Sequence, residues 1–340
     1  MEDAHVDREP TEAGTARCTG PDLEASIVPW RVAGNAGGGP SKKRASRTMA
    51  ERLTGKVALV TGAARGQGRS HAVALAREGA DVIALDLCGP IPSITGYPPS
   101  SEADLAETVR LVEGLDRRII ARVVDVRERT NMAVAVGDAV GELGRLDVVV
   151  ANAGVVSIAK DSDVSTFIDT MSVNFGGVLN TVDSAWPHLT AGASIIAIGS
   201  MAAMMDSGGI GASSDAPVGA AAYSESKRDV ARLVHHLAIA AGRNGIRVNA
   251  IHPGNVGTQM FLNDDLYRAF RPDLDIPTQD DAMLTSLRMH VMPTATLDPE
   301  DISNAVVFLA SEESRYITGL QMSVDAGGRL RTSKSGAPIS

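Results

Sequence analysis

The stretch Thr61-Gly62-Ala63-Ala64-Arg65-Gly66-Gln67-Gly68-Arg69-Ser70 decides the fold of this 340-residue chain. It follows the apolar run at residues 57–60 and precedes a helical pattern with apolar Ala72, Leu75 and Ala76. Glycine permits a tight turn and lets the backbone approach a pyrophosphate without a Cβ in the way. The N-terminus of the following helix presents free N–H groups to an anion. The stretch therefore predicts a dinucleotide-binding turn at the start of a parallel sheet.

From residue 57 onward, apolar strands alternate with helical patterns, which is typical of a parallel sheet covered by helices on both faces. Glycine or Asn-Gly stands where helices should end, at Gly79, Gly144 and Asn244-Gly245. The predicted strands are 57–61, 81–86, 119–124, 147–151, 194–199, 247–252 and 320–324. The predicted helices are 68–78, 102–116, 129–143, 165–186, 221–242 and 299–311. Segments 202–219 and 255–298 interrupt this alternation.

Composition excludes several classes of partner. The net charge of −9 argues against nucleic acid, because no basic excess is available to neutralise phosphates. No apolar stretch approaches the ~20 residues that a membrane helix needs, and the N-terminus lacks the pattern of a signal peptide. The two cysteines, Cys18 and Cys88, are far apart and lack metal-ligand spacing. We therefore expect a cytoplasmic protein with reduced thiols, no metal and no membrane contact.

Both ends of the chain are predicted to lie outside the folded part. Residues 1–48 are rich in small, polar and charged residues and show no periodicity, so they cannot offset their ordering entropy by burial. We expect them to be disordered. Met49 precedes a natural domain start, and one hypothesis is that it is the true start of the native protein, which its intact mass would test. Residues 331–340 are expected to form a flexible tail.

Asp86 ends the second predicted strand, 18 residues after Gly68. A carboxylate there accepts hydrogen bonds from both hydroxyls of an adenosine ribose and repels a 2′-phosphate. Arg65 favours the opposite interpretation, because a cation in the glycine loop would pair with a 2′-phosphate. Burying a carboxylate against a dianionic phosphate should cost more binding free energy than an ion pair with one exposed arginine supplies. We predict NAD as the cofactor and keep NADP as the alternative.

Polar residues also follow the third and fourth predicted strands, at the sheet edge where open α/β sheets bind ligands. They are Asp125-Val126 and Asn152-Ala153-Gly154. Asp125 is predicted to hold the adenine amino group, and Gly154 to leave room for backbone contacts with the cofactor. Asn152 is predicted to tie neighbouring strands together.

Tyr223 and Lys227 open a predicted helix, and their i, i+4 spacing places them on one face. A tyrosine with a pKa of ~10 is a poor base at neutral pH. A nearby ammonium stabilises the phenolate and lowers that pKa. Together with Ser200 at the end of a strand, the pair predicts proton transfer at a substrate oxygen.

The order of these motifs resembles that of the short-chain dehydrogenases/reductases. The matching residues are Thr61-Gly62-x-x-x-Gly66-x-Gly68, Asn152-Ala153-Gly154, Asn174, Ser200, Tyr223-x-x-x-Lys227 and Pro253-Gly254. The resemblance covers about residues 52–330. It implies an α/β fold, a single-domain Rossmann fold whose doubly wound, seven-stranded parallel sheet has the order 3-2-1-4-5-6-7. It also implies a homotetramer, built in part through the helix that carries Tyr223 and Lys227.

Four segments resemble the mycofactocin-dependent, carveol-dehydrogenase-like members of that family more closely. They are residues 62–71, 86–88, 270–274 and 301–306. This resemblance implies NAD that is bound too tightly to exchange. It also implies that electrons pass to an external redox cofactor of the mycofactocin type.

The resemblance assigns roles to single residues. Tyr223 would be the general base for alcohol oxidation or the acid for carbonyl reduction, and Ser200 would hydrogen-bond the substrate oxygen. Lys227 would bind the nicotinamide ribose and depress the tyrosine pKa, and Asn174 would hold a water linking Lys227 to solvent. The other cofactor contacts would come from Gly62, Arg65, Gly66, Gln67, Gly68, Asp86, Leu87, Asp125, Val126, Asn152, Ala153, Gly154, Pro253, Gly254, Val256 and Thr258.

The chain departs from the family pattern at Ala151, which replaces an asparagine, and at Gly199, which replaces the first of two serines. Among the histidines, His71 is predicted to be packed or solvated, and His235-His236 to have a structural or interface role. Apolar residues of the segment 255–298 fit no helical stripe, and we interpret them as an adaptable lid over a substrate. They are Met260, Phe261, Leu262, Met283, Met289 and Met292.

The sequence thus predicts an NAD-dependent oxidoreductase acting on a small, largely apolar secondary alcohol or its ketone. Two alternatives stay open. One is an NADP-linked ketoreductase whose cofactor exchanges freely, and Arg65 is its main support. The other is a non-catalytic, NAD-binding redox sensor. Such a sensor would not need Ser200, Tyr223 and Lys227, so their presence argues against it.

Overall fold

The computed structural model of the protein describes residues 51–205 and 216–331. The predicted disorder of residues 1–48 and the predicted start at Met49 lie outside the described residues. So do residues 332–340 of the predicted tail. All that follows concerns the described part of the chain.

The central feature is a sheet of parallel strands. Its members are β1 (Val57–Thr61), β2 (Asp81–Asp86), β3 (Ile119–Val123), β4 (Leu146–Ala151), β5 (Leu189–Ile198), β6 (Arg247–Pro253) and β7 (Gln321–Val324). They lie in the order β3-β2-β1-β4-β5-β6-β7, and each neighbouring pair is parallel. The predicted strand order is therefore confirmed. The order reverses direction between β1 and β4, the switch point at which such sheets bind ligands.

Helices connect the strands. They are α1 (Gly66–Arg77), α2 (Glu102–Glu113), α3 (Arg129–Leu143), α4 (Val164–Met171), α5 (Gly177–Ala185), α6 (Val218–Gly242), α7 (Asp264–Phe270), α8 (Gln279–Met289), α9 (Pro299–Ala310) and α10 (Gly328–Arg331). The predicted helix 165–186 is divided between α4 and α5 by a π-helical turn, Ser172–Gly176. Helix α6 begins three residues before its predicted start.

Two apolar cores cover the two faces of the sheet, because alternate residues of each strand point to opposite sides. On β1, Leu59 joins a core that includes Val136 of α3 and Val234 of α6. Its neighbour Val60 joins the other core with Leu75 of α1. Every residue of β1 is buried, which holds the glycine turn after it on a rigid base.

The structure differs from the predicted boundaries where apolar periodicity is weak. Strand β5 begins at Leu189, five residues before its predicted start, and Gly192 N–H there donates to the carbonyl of Gly245. The segment 255–298, predicted only as a break, contains α7 and α8. Asn263 caps the first of these, and a Thr278–Asp281 capping box begins the second.

Candidate active site

The turn between β1 and α1 is built around glycines that have no room for a side chain. Gly62 and Gly66 have φ angles of +67° and +56°, in the left-handed region. A Cβ on Gly68 would lie 1.9 Å from the carbonyl oxygen of Gly62. Asn152 Nδ2, at the end of β4, donates to the carbonyl oxygen of Thr61 over 2.8 Å. The predicted strand-tying role of Asn152 is confirmed, and the turn exposes backbone where a diphosphate would need it.

A cavity of about 470 Å³ opens beside this turn, at the carboxyl edge of the sheet. The predicted cofactor residues that line it are Gly62, Arg65, Gly66, Gln67, Gly68, Asp86, Leu87, Asp125, Val126, Asn152, Ala153, Gly154, Tyr223, Lys227 and Thr258. Three others, Pro253, Gly254 and Val256, line an adjoining cavity instead. The fold thus brings most of the predicted cofactor residues together around one cavity.

Asp86 is buried at the end of β2, and its carboxylate accepts three hydrogen bonds. The donors are Ala64 N–H at 2.9 Å, Cys88 N–H at 3.0 Å and the hydroxyl of Ser100 at 2.6 Å. Ser100 lines the same cavity, so the carboxylate already accepts a hydroxyl donor from the cavity side. A ribose diol offers the same kind of donor, whereas a 2′-phosphate would meet a buried negative charge. The residues present therefore fit NAD.

Arg65 is engaged with protein acceptors on both sides of the cavity. Its guanidinium donates to the carbonyl oxygen of Pro99 at 3.3 Å and to that of Pro98, both in the loop between β2 and α2. It also donates to Oε1 of Gln259, in the segment after β6. Its guanidinium carbon lies 5.9 Å from the centre of the Tyr97 ring. Arg65 thus joins two walls of the cavity, and protein acceptors engage both of its terminal nitrogens.

Asp125 lies at the cavity wall with its carboxylate already paired. Arg127 Nε and one terminal nitrogen donate to its Oδ2 at 2.9 and 2.7 Å. The other terminal nitrogen of Arg127 donates to Asp169 of α4 at 2.8 Å. The sequence prediction missed Arg127, and the contact of Asp125 with an adenine amino group stays a prediction.

The proposed catalytic side chains meet at the ends of β5 and α6. Ser200 follows β5 and Tyr223 lies on α6, and both side chains line the adjoining cavity. Burial raises the pKa of Tyr223, and the nearby side chain of Ser200 opposes that shift. Lys227 is not among the causes of this shift, and the predicted depression of the Tyr223 pKa by Lys227 stays a prediction.

Lys227 is buried one turn further along α6. Its Nζ donates to the carbonyl oxygen of Ile198 over 2.9 Å and lies 5.8 Å from the centre of the Tyr223 ring. Burial lowers the pKa of Lys227 to about 8. A Cβ on Gly154 would lie 3.4 Å from Lys227 Nζ, so the ammonium lies directly beside this glycine of the cavity wall.

Asn174 lies in the π-helical turn and is fully buried. Its Oδ1 accepts from Val155 N–H at 2.7 Å, and its Nδ2 donates to Val155 O at 2.9 Å and to Ser226 Oγ at 3.1 Å. It lines neither cavity among the described residues. Asn174 therefore braces the segment after β4, and its role in holding a water for Lys227 stays a prediction.

The adjoining cavity, of about 650 Å³, is mainly apolar, and Ser200 and Tyr223 line it. From the predicted lid, Met260, Phe261 and Met289 line it, whereas Leu262, Met283 and Met292 do not. Further apolar lining comes from Ile158, Met201, Met205, Val256 and Leu266. Of these only Val256 was predicted, and as a cofactor contact. A cavity of this size and lining suits a small apolar molecule.

Tyr223 lies at the junction of the two cavities. The residues that line both are Gln67, Tyr97, Gly199, Tyr223, Thr258 and Met260. The sequence prediction missed Tyr97, whose hydroxyl accepts from Val156 N–H at 3.2 Å and whose pKa burial raises to about 12. The only sequence signal for it was the unusual length of the β2–α2 loop.

Two other predictions concern groups outside the cavities. His71 is fully buried, with Nδ1 2.8 Å from Ser303 Oγ, and burial lowers its pKa to about 3. Of the two predicted alternatives, packed or solvated, the structure shows the packed one. Within residues 51–205 and 216–331, no cluster of three or more His, Cys, Asp or Glu side chains has the arrangement of a metal site. In the same ranges, no helix combines the length and apolarity that crossing a membrane requires.

Comparison with known proteins gives consistent results. A family profile described as enoyl-(acyl carrier protein) reductase matches residues 62–328. A Mycolicibacterium smegmatis protein named as a short-chain type dehydrogenase/reductase is 47% identical over 83% of this chain and all of its own length. The (−)-trans-carveol dehydrogenase of Rhodococcus erythropolis is 40% identical over 82% of this chain and 99% of its own. The crystal structure of carveol dehydrogenase from Mycobacterium avium in complex with NAD has a TM-score of 0.75, 45% identity, and coverage of 82% and 99%.

Proposed function

The chain belongs to the short-chain dehydrogenase/reductase family, and from this premise we propose that it interconverts a small apolar secondary alcohol and its ketone with NAD as cofactor. The observation that carries the proposal is the position of Tyr223 between two cavities, with Ser200 lining the apolar one beside it. Tyr223 lines both the glycine-bounded cavity and the apolar one. A group that exchanges a proton with a substrate oxygen needs this position.

Three side chains have separate roles in alcohol oxidation. Ser200 donates its hydroxyl hydrogen to the substrate oxygen and holds it beside Tyr223. Tyr223 takes the alcohol proton, and in the reverse direction returns it to the ketone oxygen. Bound NAD supplies the hydride acceptor for the carbinol carbon. Lys227 of α6, whose buried Nζ is hydrogen-bonded to the end of β5, supplies a nearby positive charge that favours the phenolate.

The preference for NAD rests on Asp86 and Arg65. Asp86 places a buried negative charge where a 2′-phosphate would otherwise bind. Arg65, the main support for NADP, directs its donors to Pro98, Pro99 and Gln259. The NAD complex of the Mycobacterium avium carveol dehydrogenase, 45% identical to this chain, supports the same choice.

We also propose that the cofactor stays bound through turnover and is reoxidised in place by an external acceptor of the mycofactocin type. The bridge from Arg65 to both walls of the cavity supports retention, because release requires those hydrogen bonds to break together. The likeness to carveol dehydrogenases supports the substrate class, a small cyclic or branched apolar alcohol such as carveol.

A homotetramer built in part through α6 forms part of the proposal. Exposed apolar side chains on α6, Val218 and Ile239, and on α4, Val164 and Ile168, support such an assembly. His235 and His236 are exposed on α6 as an edge-to-face pair with ring centres 5.8 Å apart, which suits the predicted interface role. Light scattering of the purified protein measures the assembly directly.

One experiment tests the activity and the cofactor together. The purified protein is denatured, and the released nucleotide is identified by absorbance and mass. Turnover of carveol is then measured with added NAD alone and with an artificial electron acceptor. We expect NAD to be released, turnover to require the acceptor, and Tyr223→Phe to lower turnover by roughly 10³-fold while NAD stays bound.

Each contrary result points to a different alternative. Released NADP would favour the ketoreductase hypothesis, and full turnover with added NAD alone would overturn retention of the cofactor. Bound NAD without turnover of any alcohol or ketone, in the native protein and in Tyr223→Phe alike, would favour the redox sensor.

A further inference from the structure

His252 is a fully buried polar residue beside Ser200 to which the sequence assigned no role. It lies on β6, where its ring joins three elements. Nε2 lies 2.7 Å from Oε1 of Gln321 on β7. Nδ1 lies 3.2 Å from the backbone nitrogen of Ser200 and 3.1 Å from its carbonyl oxygen. The ring therefore links the sheet to the residue that would bind the substrate oxygen.

The hydrogen-bond network fixes which ring nitrogen carries the proton. Gln321 Nε2 donates to the carbonyl oxygen of Ala231 on α6 over 3.1 Å, which leaves Oε1 of Gln321 as an acceptor toward His252. His252 Nε2 must then be the donor and Nδ1 the acceptor. Burial lowers the pKa of His252, so the ring is neutral at pH 7. Nδ1 thus offers a lone pair to the N–H of Ser200.

Ser200 needs such an acceptor because it is where the chain leaves the sheet. Gly199 N–H makes the last ladder bond of β5, to the carbonyl oxygen of Ile251 over 2.7 Å. The next N–H, that of Ser200, lies beyond the end of β5 and donates to His252 Nδ1 instead of a strand carbonyl. A buried N–H without a partner would cost free energy and would leave the peptide free to rotate.

The same ring accounts for a departure of this chain from its family. A Cβ on Gly199 would lie 2.4 Å from His252 Nδ1 and 2.5 Å from its Cε1. Real side chains do not approach so closely, so a serine at position 199 and this placement of the imidazole exclude each other. Gly199 and His252 therefore occur together, and Ser200 is the one serine left of the family's usual pair.

We infer that His252 is a positioning residue, which orients the Ser200 peptide through Nδ1 and so sets the distance between the Ser200 and Tyr223 hydroxyls. This inference rests on the proposed function, since it assigns the substrate oxygen to that pair of hydroxyls. It adds a residue, on another strand, whose own side chain lines neither cavity.

Two substitutions separate this role from simple packing. His252→Asn keeps a polar atom at the Nδ1 position and loses the contact with Gln321. His252→Gln keeps a polar atom at the Nε2 position and leaves the Ser200 N–H without an acceptor. We expect kcat for carveol to be about tenfold higher in H252N than in H252Q, with KM values within about twofold of each other. If His252 only bridges β6 and β7, the order is reversed, because H252Q keeps that bridge.

His71 supplies a matched control, being another fully buried histidine whose Nδ1 is hydrogen-bonded, in this case to Ser303. H71N and H71Q should lower thermal stability without separating the two kcat values. Bound NAD and the melting temperature of all four variants show whether each has folded. Equal kcat values in H252N and H252Q would overturn the inference.

A second measurement needs no substrate. Crystal structures of H252N and H252Q give the distance between Ser200 Oγ and Tyr223 Oη directly. We expect this distance to be kept in H252N and lengthened in H252Q. An unchanged distance in both would overturn the positioning role even if the native protein does not oxidise carveol, in which case the proposed function fails separately.

Discussion

Lys227 Nζ donates a 2.9 Å hydrogen bond to the carbonyl oxygen of Ile198, two residues before Ser200. The buried ammonium is thus tied to the end of β5, the strand that also delivers Ser200. One short segment of backbone therefore fixes both the charge and the hydroxyl that Tyr223 needs.

The buried ammonium predicts a particular dependence of stability on pH. Burial lowers the pKa of Lys227 from its ordinary 10.5 to about 8, so the charged form costs the folded state free energy at pH 7. Between these two pKa values the unfolded state binds more protons, and the stability of the folded state rises with pH. The shift corresponds to roughly 3 kcal/mol. Lys227→Met removes the titrating group.

Urea unfolding of the native protein and Lys227→Met at pH 7 and pH 10 measures this. We expect the native protein to gain stability relative to the variant across that interval, by up to roughly 3 kcal/mol. Parallel pH curves for the two proteins would show that the ammonium is not desolvated.

Asp86 predicts the cofactor preference. Asp86→Asn removes the charge and keeps an acceptor for the loop N–H groups, so we expect the affinity ratio of NAD to NADP to fall by about tenfold or more, because like charges at a binding site repel. Calorimetric titration of the cofactor-stripped protein with each nucleotide measures the ratio. Ser100→Ala removes one hydroxyl donor without changing charge and serves as control. A ratio unaltered in Asp86→Asn would contradict the role given to this carboxylate.

Arg65 predicts how firmly the cofactor is held. Arg65→Lys keeps the positive charge but loses the planar fork that reaches Pro98, Pro99 and Gln259 together. We expect the cofactor to dissociate about tenfold faster, measured as NAD remaining after timed dialysis. Gln259→Leu breaks only one side of the bridge and should give a smaller increase. Retention identical to that of the native protein would argue against the bridge, and a selective loss of NADP affinity would return Arg65 to a phosphate-binding role.

The close approach of Gly199 and His252 predicts an energetic coupling. Gly199→Ala would place a Cβ 2.4 Å from His252 Nδ1, and overpacking of this kind costs roughly 1–3 kcal/mol. In a His252→Ala background the clash is absent, so the same substitution should cost less. Thermal or urea unfolding of the two single variants and the double variant gives the coupling energy. Additive effects would mean that the two side chains do not compete for this space.

The sheet could be predicted from the sequence because its signals are local. The glycine turn at 61–70, the buried strand before it and the repeated alternation each follow from a few adjacent residues. The π-helical turn Ser172–Gly176 was not predicted, since one extra residue leaves the apolar pattern of a helix almost unchanged. Helices α7 and α8 carry ordinary capping residues at Asn263 and Thr278, which the interpretation as a lid overlooked.

The candidate site was predicted where its residues recur at fixed spacing and missed where distant segments meet. Ser200, Tyr223 and Lys227 come together as expected. The partners of Arg65 and Asp125 were not predicted, because they depend on how loops fold onto each other. His252 was passed over because a lone histidine on a strand carries no signal until Gln321 and Ser200 are placed beside it.

Tyr97, Thr258 and Met260 face both the cofactor cavity and the apolar cavity. A substitution at any of them that reshapes the space for an alcohol also changes the wall beside the nucleotide. In this chain, substrate range and cofactor retention are therefore not independent traits. Ile158, Met205 and Phe261 line the apolar cavity alone. Substitutions at such positions, whether natural or engineered, can change the substrate preference without altering the cofactor cavity.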